Sequence, residues 1–124
     1  MATILASTAA ALVFLWGVAH AVPTGRVLAG FMPITQDNRR IVLQEWLAEA
    51  FTMWGTAAVI VTVIVVGGAH AASSQWAFRV AAVLLMALAT LTALTGARTS
   101  VIWFKICPVL LTGSAALLAA ASLL

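Results

Sequence analysis

The chain has 124 residues, of which 65% are hydrophobic and 7% charged, with a mean hydropathy of +1.17. Soluble domains carry about 25% charged residues, so this composition excludes a water-soluble monomer. Six Lys and Arg against three Asp and Glu give a net charge of +3; in so apolar a chain the basic groups read as membrane-topology signals, and no nucleic-acid partner is expected. Cys107 is the single cysteine and the His and Cys positions lack zinc spacing, so neither an intramolecular disulfide, a metal nor another cofactor is expected.

A helix needs roughly 20 apolar residues to cross a hydrocarbon core of about 30 Å. Four stretches reach that length, at about 4–22, 41–66, 76–94 and 101–124. They are separated by Pro23-Thr24-Gly25, by Gly67-Gly68 with Ser73-Ser74, and by Gly96 to Ser100. The expected fold is all-α, an integral membrane four-helix bundle of a single domain, 1–124, with both termini on the same side.

Within the first stretch, Ala19-His20-Ala21 fits a signal-peptidase site, but no Lys or Arg precedes the apolar run. A retained first helix is therefore expected. Residues 23–38 are apolar at Val27, Leu28, Phe31, Met32 and Ile34, which predicts an interfacial loop. Gly25, Gly30, Pro23 and Pro33 argue against continuous helix there. Asp37 or Asn38 is the expected N-cap of the second spanning helix. Arg26, Arg39 and Arg40 are expected to contact lipid headgroups or another anion.

The second stretch carries Glu45, Glu49, Thr52 and Thr56 at helical spacing, a polar seam on one face. Each glutamate lacks a cation three or four residues away on its own helix. Measured from Ile41, Glu49 would lie about 12 Å inward, near the midplane; an interfacial position, with Trp46 as a belt residue, is the alternative. His20, Arg98 and Lys105 are the basic groups expected on the same side of the membrane. His20 and His70 fall at opposite ends, which argues against a haem held between them.

Counting cations beside the spans places Arg26, Arg39, Arg40, Arg98 and Lys105 on one side and Arg79 on the other. That bias predicts a cytoplasmic location for loops 23–38 and 95–100, with the termini outside a plasma membrane.

The expected function is binding of a lipid-like or small apolar ligand, or a non-catalytic role in a larger membrane complex or homodimer. The candidate pocket is walled by Trp16, Phe51 and Trp54, with Thr52, Arg98 and Lys105 as further ligand contacts. One alternative is an isomerase- or cyclase-type enzyme with Glu45, Glu49 and His20 as acid and base groups. Another is a proton-coupled transporter centred on Glu49. In chain length and helix count the protein resembles the small multidrug resistance transporters, whose essential glutamate lies in the first helix; here the first helix has no acid, and membership is not inferred.

Overall fold

The first apolar run forms helix α1, Ala2–Ala21, whose 20 residues rise about 30 Å and match the hydrocarbon core. The computed structural model describes residues 1–124. After a break at Val22 and Pro23 the chain forms a short helix, α2, Thr24–Gly30. This corrects the expectation of a loop: Pro23 begins the helix instead of blocking it, its carbonyl accepting from Arg26 and Val27 N–H at 2.9 and 3.0 Å. A proline at a helix start loses no intrahelical bond. Gly25 and Gly30 lie inside the seven-residue helix.

Helix α3, Gln36–Gly67, is the longest at 32 residues. It begins five residues before its apolar stretch, because polar residues 36–40 are compatible with a first turn even though they cannot enter a bilayer. Its N-cap is Thr35, in extended backbone, with Oγ1 accepting from Asn38 N–H at 3.2 Å. Asp37 and Asn38 therefore lie inside the helix and are not its caps. At about 1.5 Å per residue α3 is roughly 48 Å long, so it overhangs α1. The chain then reverses at Gly68, whose φ of +77° is a conformation that L side chains rarely adopt.

Helix α4 spans Ala72–Leu94, a 3-10 turn covers Gly96–Arg98, and α5 spans Ile102–Ala121 with Pro108 inside it. Four of the five α-helices, α1, α3, α4 and α5, are long and apolar enough to cross a membrane. They form a ring in which α1 packs on α3 and α5, and α4 on α5 and, least extensively, on α3.

Contacts between ends show that every neighbouring pair is antiparallel. Late α1 meets early α3 through His20 and Trp46, and early α5 through Trp16 and Cys107. Late α3 meets early α4 through Val63 and Ser74, and early α4 meets late α5 through Arg79 and Ser122. Both termini consequently lie at one end of the bundle. The opposite end, where α2 sits, is called the mouth.

Val13, Met53, Ile60, Phe78, Leu85, Leu111 and Leu118 are fully buried along the axis. Gly17 allows the closest approach, since a Cβ there would stand 2.7 Å from Trp54 Nε1 and 3.2 Å from Met53 Cβ. Only 25 of 124 residues are buried, while Val66, Val65 and Val83 are among many large apolar side chains left exposed on the outside. In water this would be one extended apolar patch; lipid is the solvent that suits it.

Candidate functional site at the bundle mouth

The last turn of α1 leaves carbonyl groups without intrahelical partners. Trp46 of α3 supplies one: its indole N–H donates to the His20 carbonyl at 3.1 Å. In return His20 Nε2–H donates to the Trp46 carbonyl, also at 3.1 Å. A carbonyl oxygen can only accept, so this contact assigns a proton to Nε2 in either charge state of the ring. The two rings stack at 3.9 Å between centroids and 19° between planes, and Phe104 of α5 meets Trp46 edge-on at 5.9 Å.

Glu49 lies one turn deeper on α3, its Oε2 at 3.6 Å from His20 Nε2. That separation is too long for a hydrogen bond, so the pair is joined by charge alone when the ring is protonated. The His20 side chain retains 7% of its accessible surface, whereas Glu49 keeps 28%. Trp16, one turn below His20, donates its indole N–H to Cys107 Sγ at 3.1 Å. Three of the four spanning helices therefore contribute to one cluster: His20 and Trp16 from α1, Trp46 and Glu49 from α3, Phe104 and Cys107 from α5.

The polar seam grades inward from exposed Glu45, through half-buried Glu49 and Thr52, to buried Thr56. Its glutamates are not partners: Glu45 forms no ion pair, while Glu49 faces His20. Thr52 Oγ1 donates to the Ala48 carbonyl at 2.8 Å and Thr56 Oγ1 to the Thr52 carbonyl at 2.7 Å. Both hydroxyl protons are thus used within α3, leaving only lone pairs for another group. Glu49 is level with His20 in the last turn of α1.

Of the pocket walls expected from the sequence, Trp16 joins the cluster and two others do not. Phe51 is 60% exposed and packs against Trp54 with ring centroids 5.6 Å apart. Trp54 donates to the Phe14 carbonyl at 3.3 Å and lines an outer α1–α3 groove of about 390 Å³ with Phe14, Ala57 and Val61. Helical phase explains the separation, since Phe51 lies two residues from Glu49 and so on the other flank of α3. Arg98 and Lys105 are exposed and form no ion pair. Arg26, Arg39 and Arg40 are also exposed; Arg40 pairs with Asp37 at 3.5 Å, while Arg39 borders a cleft of about 370 Å³ beside α2.

Trp46, Phe104 and Cys107 were not among the expected site residues. The position of His20 at a helix end was a signal for a capping aromatic, but only the α1–α3 register identifies Trp46. Comparison with protein-family models, with curated proteins and with solved structures returns no match.

Proposed function

We propose that this small polytopic membrane protein binds a lipid-like molecule whose hydrogen-bond-donating or cationic head reaches Glu49 at the mouth. The observation that carries the reading is the asymmetry of the pair: the imidazole is almost enclosed, while the carboxylate it faces keeps 28% of its side-chain surface. The carboxylate faces the imidazole without a hydrogen bond to it, and its exposed part is open to a ligand. Acids at such positions are costly unless they face a partner or a cavity. Among the spanning helices that pack on α3, α4 is the one it touches least, so the apolar part of the ligand is assigned to the space between these two helices.

The five mouth cations against Arg79 at the other end favour a cytoplasmic mouth in a plasma membrane, with the termini outside. Binding of an alkylammonium amphiphile to protein in nanodiscs tests the site. Glu49→Gln is expected to weaken binding at least about tenfold, the scale of one lost charge-assisted contact. Glu45→Gln is expected to change it by less than about twofold, as a screened surface charge does. Equal weakening by the two substitutions contradicts the proposal.

A second reading takes support from the imidazole beside the carboxylate: acid–base chemistry or proton-coupled transport at the same group. Uptake into proteoliposomes driven by a pH gradient and abolished by Glu49→Gln would favour transport over simple binding.

A further inference from the structure

We propose that the cleft between α2 and the start of α3 holds one anionic glycerophospholipid, with Arg39 on its phosphodiester. This site is separate from Glu49 and does not depend on the ligand proposed there. The cleft has a volume of about 370 Å³ and is lined by Gly25, Leu28, Ala29, Met32 and Arg39. Four of these residues offer carbon surface and one offers a guanidinium, a combination suited to an acyl chain or glycerol below a phosphate.

Location and charge support a lipid as the occupant. The cleft begins where α1 ends, at headgroup height when α1 spans the core, and exposed Phe31 and Met32 continue its apolar edge. The adjacent arginines are not equivalent. Arg40 has a protein carboxylate at 3.5 Å in Asp37, whereas Arg39 has no side-chain acceptor in the protein and borders the cleft. Arg26, Arg98 and Lys105 at the same end are also without ion pairs. The mouth therefore presents positive charge that an anionic headgroup complements.

Gly25 provides an independent handle. It lines the cleft, and a Cβ at this position has no atom within 4 Å, so a larger side chain is accommodated at the cleft wall without displacing protein atoms.

Protein reconstituted in nanodiscs with equal phosphatidylglycerol and phosphatidylcholine is released and examined by native mass spectrometry. The expected result is selective retention of one phosphatidylglycerol. Arg39→Gln should reduce retention about fivefold, the value of one arginine at an anionic leaflet, and Gly25→Leu should reduce it comparably. Arg40→Gln should reduce it by less than about twofold, because its charge is already shared with Asp37. Equal losses from the two arginine substitutions, unchanged retention in Gly25→Leu, or equal retention of phosphatidylcholine would overturn the proposal. Displacement of the lipid by millimolar inorganic phosphate would overturn it as well, by assigning the cleft to a free anion.

Discussion

The two ends of the bundle contain the same kinds of polar residue and use them differently. At the terminal end, Arg79 folds over Trp76 at 4.9 Å and donates to the Ser122 carbonyl at 3.2 Å. His70 Nδ1–H donates to the Leu124 main-chain oxygen at 3.2 Å. Both of these groups are satisfied by a helix end or chain end, and no acid lies nearby. At the mouth, His20 faces a carboxylate, Trp46 links two helices, and four cations lack ion-pair partners. One end closes the bundle, while the other brings ionisable groups together and leaves some available. Antiparallel packing is common to both, so position along the bundle and not fold type separates polar groups that are satisfied from those that are left available.

The strongest way to break this contrast is to remove a tryptophan from each end. Trp46→Ala should cost about 3 kcal/mol, since it deletes a large packed ring together with a hydrogen bond. Trp76→Ala should cost no more than about 1 kcal/mol, because the 63%-exposed ring contributes mainly its contact with Arg79. Unfolding of reconstituted protein in graded denaturant measures both, and equal costs would erase the distinction.

A glycine pair tests the packing just below the mouth. Gly17→Ala should destabilise by about 1–3 kcal/mol through overpacking against Trp54 and Met53. Gly113→Ala, where a Cβ meets no atom within 4 Å, should be neutral or stabilising by up to about 1 kcal/mol from helix propensity. The same unfolding assay reads the difference in sign.

The smallest expected effect concerns Ser114, whose hydroxyl is buried in α5 without a hydrogen-bond partner. Ser114→Ala should stabilise by about 1 kcal/mol by removing an unsatisfied polar group. A loss of stability would point to a partner for that hydroxyl and weaken the view that this half of the bundle is purely structural.

The four spans were legible because bilayer thickness imposes a length on apolar helices, and that length appears directly in residue counts. Their starts were less legible: apolar runs mark where a helix enters lipid, whereas Thr35 and Ala71 mark where helical backbone begins. Helix α2 was hidden because Gly25 and Pro23 weaken propensity, although a short interfacial turn tolerates both. The seam of Glu45, Glu49, Thr52 and Thr56 followed from helical periodicity. Its chemistry did not, since the partner of Glu49 comes from a helix 29 residues earlier in the chain. Local spacing carries no information on that register, nor on the meeting of Trp16 with Cys107 across 91 residues.

Magic-angle-spinning NMR on protein in bilayers, with ¹⁵N in His20 and ¹³C in the glutamate carboxyls, tests the mouth site most directly. A dipolar coupling between His20 Nε2 and the Glu49 carboxyl is expected from their 3.6 Å contact, and an alkylammonium amphiphile should shift the Glu49 carboxyl resonance while leaving that of Glu45 in place. Absence of the coupling, or equal shifts at the two glutamates, would contradict a ligand site built on the His20–Glu49 pair.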